Sequence, residues 1–372
     1  MKLKDFQISG RDFLKEKKKA LLQMGCGMGK SQTALSAVPE RSKVLIFTPP
    51  RLALKWLEEI EKSGRFLNAT FLKRTRKEQI SEALHLTNEV KYLIIDEAHE
   101  ALRNWQKSKE LIRLAKKIEN VYFLTASPLI HSAEDMYWIL KICGVFNLEK
   151  SKFIEKFMGG KYIRSIDRIV PTQKLTNKEE FLNLKRQITY SYGRVEHINK
   201  SYICLGESPI KSSNNILTFS REEEMLGLLR INKSFEKIKD LFLIHSKIVF
   251  FFMHKSVGVR AKQFLKKEGF KTLYVDGQTS EYIRRNHFKT FEGFNGKVAF
   301  LINSKACGAG VDIYGANACC FIQRTWSEGT DYQCYMRAYR FERKKPLNVY
   351  FLYFRAEKKE EVIAKKRELF KA

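Results

Sequence analysis

Residues 19–35 read KALLQMGCGMGKSQTAL, three textures in succession. An apolar run from Ala20 to Met24 suits a buried strand, a glycine-rich loop follows, and a helix opens at about Ser31. Strand, loop and helix in this order are the context a phosphate loop requires. Small residues let backbone N–H groups close around phosphate, and the helix N-terminus adds its partial positive charge. The GxxxxGK[ST] form is not met, because Met24 stands where its first glycine would be; Gly27, Gly29, Lys30 and Ser31 form the GxGK[ST] variant instead. In that pattern Lys30 reaches the β- and γ-phosphates of ATP and the Ser31 hydroxyl holds Mg2+.

Downstream, residues 92–99 read YLIIDEAH. Four apolar residues place Asp96 and Glu97 at the C-terminal edge of a buried strand, where ligands collect in open α/β sheets. Adjacent carboxylates at that edge divide the work: Asp96 holds the metal, and Glu97 orients and deprotonates an attacking water. At this spacing His99 is expected to couple the site to the other half of the chain.

The surrounding sequence repeats one theme. KVLIFTP (43–49), YLIID (92–96) and VYFLTAS (121–127) in the first half, then KIVFFF (247–252), TLYV (272–275), VAFLIN (298–303) and NVYFLYF (348–354) in the second, are runs rich in β-branched and aromatic residues, each followed by helical spacing. Such runs are strands buried on both faces, and their alternation with helices indicates parallel sheets. Most of the 27 phenylalanines sit in these runs, where core packing accounts for them better than stacking on bases. The reading is α/β: residues 1–150 as one lobe, 151–215 as a connector with helical insertions, and 216–372 as a second lobe.

Composition narrows the partners. The chain has 372 residues and a formal net charge of +28, from 69 Lys and Arg against 41 Asp and Glu. That imbalance favours a polyanion. No apolar run approaches the ~18 residues of a membrane span, and the opening MKLKDFQISG lacks the apolar core of a signal peptide. The seven cysteines include no CxxC pair, which argues against a structural metal or disulfide framework and for small buried side chains. A cytoplasmic protein of a bacterial or phage-infected cell is expected.

Far from the phosphate loop, residues 333–346 read QCYMRAYRFERKKP. Gln333, Arg337 and Arg340 are spaced i, i+4 and i+7, one face of a helix. Two arginines so placed suit fingers that stabilise charge on a transferring phosphoryl group; the bland reading is a solvated or phosphate-binding basic face.

Together these stretches resemble superfamily-two helicases, and more closely the Swi/Snf-type DNA translocases, over about residues 3–353. LKDFQISGRDFL (3–14) is similar to the opening motif of that family, in which Gln7 would read adenine. CGMGKS is the phosphate loop, FTPPRLALKWLEEI (47–60) resembles motif Ia with its Trp56, DEAH is motif II, and LTASPLIHSAEDMYWIL (124–140) resembles motif III. KIVFFFMHK (247–255), YVDGQTS with Arg284 and Arg285, LINSKACGAGVDIYGANACCFI (301–322) and RTWSEGTDYQCYMRAYRFERKKPLNVYFL (324–352) resemble the second-half motifs. The sequence departs from the pattern at Cys307 and Met336, where glycine is usual, and at Asp312, where the Swi/Snf branch has asparagine.

The resemblance implies two RecA-like lobes with ATP between them, Lys30, Ser31, Asp96 and Glu97 coming from the first and Arg337 and Arg340 from the second. It implies backbone grips at Arg51, Lys255, Ser304 and Lys305, hence binding to duplex or branched DNA that is sequence-tolerant and salt-sensitive. Other readings of the same residues are a strand-separating or branch-migrating helicase, an RNA helicase, and a nucleotide-gated clamp.

Overall fold

Buried on both faces, a parallel strand reads as an unbroken apolar run, and each of the runs quoted above falls on a strand. The computed structural model describes residues 3–25, 27–49, 52–64, 68–73, 80, 83–85, 89–103, 105–126, 133–163, 168–170, 175–193, 198–210, 216–307, 313–339, 343, 345–355, 357 and 359. Residues 1–194 and 195–364 form two compact units.

In the first unit the chain runs α1 (Asp5–Lys17), β1 (Lys19–Met24), α2 (Lys30–Ala37), β2 (Lys43–Thr48), α3 (Ala53–Ser63), β3 (Asn68–Lys73), β4 (Tyr92–Asp96), α4 (Ala98–Arg103), α5 (Trp105–Lys117) and β5 (Asn120–Thr125). It continues through a 3-10 turn (Ala133–Met136), α6 (Tyr137–Ile142), α7 (Lys150–Met158), a small antiparallel pair of β6 (Lys161–Ile163) and β7 (Arg168–Val170), α8 (Lys178–Ile188) and β8 (Thr189–Tyr192). Six strands form one sheet in the order β3-β2-β4-β5-β1-β8, all parallel. Ile94 pairs with Tyr122, and Leu21 with Phe123 on one side and Thr189 on the other. Leu21, Leu93, Ile95, Val121 and Phe123 pack with the later helices, whose rings Tyr137, Phe153, Phe157 and Phe181 meet at centroid distances of 5.0–6.3 Å.

The second unit runs β9 (Ile198–Glu207), α9 (Ile216–Lys233), α10 (Phe235–Ile244), β10 (Lys247–Phe252), α11 (Lys255–Lys267), β11 (Lys271–Val275), α12 (Glu281–Gly293), β12 (Val298–Asn303), α13 (Ser304–Cys307), β13 (Ala318–Phe321), α14 (Glu328–Met336) and β14 (Leu347–Arg355). Its sheet has the order β11-β12-β10-β13-β14-β9, again all parallel. Residues 151–215, expected as a connector, divide between the units and supply an edge strand to each sheet, β8 to the first and β9 to the second. Among the described residues no helix is long and apolar enough to cross a membrane.

Because every strand of a sheet points the same way, all its C-terminal ends lie along one edge. That geometry brings together residues distant in sequence. In the first unit the loops after β1 and β4 share an edge; in the second, those after β10, β11, β12 and β13 do.

Candidate nucleotide and nucleic-acid sites

The loop after β1 has the backbone its glycines permit. Gly27 and Gly29 adopt φ of 74° and 77°, the left-handed region that favours glycine. Gly29 caps α2 with no side-chain acceptor, so no side chain caps the first N–H groups of the helix, the donors an anion uses. Lys30 opens α2 and turns its ammonium back onto the loop, donating to the carbonyls of Met24 (2.9 Å) and Gly25 (3.2 Å). Gln7, on α1, reaches across: its Nε2 donates to the Met28 carbonyl at 3.3 Å, and its Oε1 accepts from the Lys4 backbone at 2.9 Å. A Cβ on Gly29 would stand 2.2 Å from Gln7 Nε2, so a side chain there would push the Gln7 amide aside, and φ itself favours glycine. The ring of Phe6 stacks on Tyr192 of β8 at 4.1 Å, and the Tyr190 hydroxyl donates to the Phe6 carbonyl at 2.7 Å, docking α1 beside the loop.

Two strands away, Asp96 ends β4 as the apolar run requires. Its Oδ2 accepts the indole N–H of Trp56 at 2.9 Å, and its Oδ1 accepts the Glu97 backbone N–H at 3.0 Å. Burial, with the Glu97 carboxylate beside it, pushes the Asp96 acid up to about 6, against the lowering pull of Trp56 and Lys30. Glu97 has φ of 47°, a left-handed conformation that costs a non-glycine residue about 1–2 kcal/mol. Such strain concentrates at functional sites. His99 is buried; its Nδ1 lies 2.9 Å from the Thr125 hydroxyl and 3.7 Å from Glu97 Oε2. It therefore ties the acidic strand end to the end of β5 within its own unit.

These residues fit a nucleotide with its magnesium. A half-buried carboxylate destabilised by a second one is relieved by a cation, and the Lys30 ammonium rests on carbonyls that a phosphate would replace as its partner. Ser31 lies in the first turn of α2, next to Lys30, as the loop pattern requires.

In the second unit the register pairs Phe252 with Asn303, so Lys255 and Lys305 leave the sheet from adjacent strand ends. The Asn303 amide donates to the Met253 carbonyl at 2.8 Å and its Oδ1 accepts the Lys305 N–H at 3.0 Å, bracing both turns. Lys255 Nζ donates to Gln278 Oε1 at 2.6 Å and lies 4.0 Å from Asp276, yet its side chain is 62% exposed. Ser304 is buried, and its hydroxyl has no hydrogen bond among the described residues. Gln323, fully buried, clamps the turn before Lys255. Its Oε1 accepts the Met253 and His254 N–H groups at 3.1 Å, and its Nε2 donates to the Glu223 carbonyl at 2.8 Å.

The helix predicted over Gln333 to Arg340 is shorter: α14 ends at Met336, and Arg337 is its C-cap. Gln333 and Arg337 are both largely buried, and the Gln333 amide nitrogen has no hydrogen-bond partner among the described residues. The start of α14 is pinned by Asp331, which accepts from Arg324 Nε (2.9 Å), the Thr325 N–H (2.8 Å) and the Thr325 hydroxyl (2.7 Å), all inside the core. Cys307 and Met336, the residues in place of glycine, are buried; Cys307 Sγ lies 3.9 Å from the Cys334 carbonyl. Arg51, Arg340 and Asp312 lie outside the described residues. Sequence reading missed Thr125, Gln323 and Asp331 as supports, and took Trp56 only as a mark of resemblance.

Each of the two parallel sheets, with its flanking helices, has a RecA-like fold. The family of the helicase conserved C-terminal domain matches residues 233–342. An uncharacterized ATP-dependent helicase of Mycoplasma pneumoniae is 23% identical over 360 residues, covering 82% of this chain and 34% of that protein. The mouse SWI/SNF-related matrix-associated actin-dependent regulator of chromatin subfamily A member 1 is 21% identical over 317 residues, covering 70% and 29%. In fold, the chain is similar to S. cerevisiae Dbp5 bound to RNA and ADP BeF3, with a TM-score of 0.54 at 14% identity over 99% of this chain and 88% of that one. By these matches the chain is similar to superfamily-two helicases and ATPases of the Swi/Snf type. It spans at most about a third of the length of these curated relatives, and as little as 6% of others it matches.

Proposed function

We propose that this chain is a nucleic-acid-stimulated ATPase that couples ATP hydrolysis to movement along duplex DNA. The observation that carries the reading is the pairing of an uncapped glycine loop at α2 with a half-buried dicarboxylate on the same sheet edge, Asp96 held up to about 6 by desolvation beside Glu97.

In this reading Gln7 recognises the adenine, and the backbone N–H groups from Gly27 to Ser31 bind the phosphates. Lys30 exchanges the Met24 and Gly25 carbonyls for β- and γ-phosphate oxygens. Ser31 and Asp96 would hold magnesium, which supplies charge neutralisation at the phosphates. Glu97 orients the attacking water and takes its proton as the γ-phosphoryl leaves ADP. Arg337 and Arg340 from the second unit stabilise the charge that develops, a contribution of ~10³–10⁵-fold for arginine fingers in known cases, and Gln333 helps bind the nucleotide. Hydrolysis thus draws on residues of both units, and alternation between nucleotide states shifts their relative grip on DNA. Lys255 and Lys305, with Arg51, are the backbone grips. DNA is favoured over RNA by the Swi/Snf-type kinship and the motif Ia and III features; the net charge of +28 suits either.

The test is an ATPase panel with single-stranded DNA, duplex, forks and RNA at two salt concentrations, with triplex displacement on duplex and strand displacement on forks. Duplex-stimulated turnover with triplex displacement is expected, and its loss in Lys30→Ala and Glu97→Gln. Equal turnover in wild type and Glu97→Gln removes Glu97 as the base. Strand displacement on forks without triplex displacement makes the chain a strand-separating helicase instead.

A further inference from the structure

Trp56 is 2% exposed, on α3 within the motif Ia stretch, and its indole N–H meets Asp96 Oδ2 at 2.9 Å. A tryptophan buried only for its area needs some acceptor for its N–H, and a backbone carbonyl is the ordinary solution. Here the acceptor is the one carboxylate oxygen left by the Glu97 backbone, which holds Oδ1 at 3.0 Å. Each oxygen of Asp96 thus has one fixed donor on protein, from two different elements, and the carboxylate plane cannot rotate without breaking one of them. We propose that Trp56 is a positioning residue for Asp96, holding the carboxylate plane so that its remaining lone pairs face the phosphate loop and its cation.

The inference rests on the reading of Asp96 as the magnesium-holding residue. The helix that carries Trp56 is itself anchored to the phosphate-loop helix: the Gln32 amide donates to the Glu59 carbonyl and to Glu59 Oε2, both at 2.7 Å. Trp56 therefore reaches Asp96 from a frame fixed to α2, so loop and carboxylate keep one geometry. Groups that orient a metal-holding side chain typically change metal affinity by 10–100-fold when removed.

The experiment is a magnesium titration of the binding of a fluorescent N-methylanthraniloyl ATP, read by fluorescence so that no turnover is required. Wild type is compared with Trp56→Phe, Asp96→Asn and a chain carrying benzothienylalanine at position 56, which keeps the ring shape and replaces the N–H by sulfur. The two position-56 variants are expected to raise the magnesium midpoint about tenfold, with affinity in excess EDTA changed by less than about twofold. A midpoint equal to wild type in a benzothienylalanine chain of wild-type melting temperature overturns the inference. So does an equal loss of affinity in EDTA, which would make the role one of packing. A failure of the underlying reading looks different: Asp96→Asn would then leave the midpoint unmoved, and the inference would fall with it.

Discussion

Arg230 is the residue whose removal should hurt the second unit most for a reason visible in its surroundings. Its Nη1 donates to Glu223 at 2.8 Å and its Nη2 to Glu357 at 2.5 Å, while Lys359 Nζ lies 3.2 Å from Glu223. All four side chains are at most 3% exposed, so water screens nothing. Arg230→Met keeps much of the volume and leaves two buried carboxylates with one ammonium. Breaking a buried pair by deleting one partner costs about 3–5 kcal/mol, and the upper part of that range is expected because Arg230 serves two partners. The pH dependence follows from the directions of the acids. In the folded wild type Glu223 is held below its ordinary value by Lys359 and Arg230, which outweigh the opposing effect of burial. Its stabilisation is therefore present above the unfolded value and lost as pH falls through the folded one. Burial already holds Glu357 above its ordinary value, against the pull of Arg230; without Arg230 both acids move up from where they stand, Glu223 keeping only Lys359, so the variant loses relative to wild type as pH rises. The deficit of Arg230→Met should accordingly be large at pH 7 and shrink toward pH 5. Urea unfolding of the full chain, followed through the transition of the second unit, measures it. A deficit below about 1 kcal/mol at pH 7, or one equal at pH 5 and pH 7, refutes the reasoning.

Three further outcomes are expected. Gly29→Ala should destabilise the first unit by about 1–2 kcal/mol through its left-handed backbone. Its new methyl group displaces Gln7, so the preference for ATP over GTP should narrow; thermal unfolding and parallel nucleotide titrations check both, and an unchanged preference argues against Gln7 as the base reader. Lys255→Ala and Lys305→Ala should each weaken duplex binding alike on unrelated sequences and reduce the slope of log affinity against log salt by about 0.9. Asp331→Asn leaves the shape of the pin at the start of α14 but removes the charge that Arg324 faces; ATP turnover should fall more than nucleotide affinity, because Arg337 is displaced, and equal losses in both would contradict that role.

Strands were legible in the sequence wherever they are central and apolar: β1, β2, β4, β5, β10, β12 and β14 each coincide with a quoted run, as does β11 at an edge. The strands missed are β3 (NATFLK), β8 (TYSY) and β9 (INKSYICLGE), all at sheet edges, the short separate pair β6 and β7, and the small-residue β13 (ACCF). An edge strand has one neighbour and a side open to water, so it tolerates Ser, Thr, Asn and Lys and loses the apolar signature. ACCF is central and fully buried, yet its volume is too small to stand out.

The phosphate loop, the acidic strand end and the second-unit motifs are written in local order, because each needs a fixed spacing between a strand end and the turn after it. Which groups support them is not. Trp56 meets Asp96 across forty positions, Gln323 clamps a turn sixty-nine positions earlier, and His99 finds Thr125 twenty-six positions on. Spacing along the chain carries no record of such pairs. Parallel strands put unrelated loops on one edge, and only the packing of that edge decides which hydrogen bond each buried polar group makes.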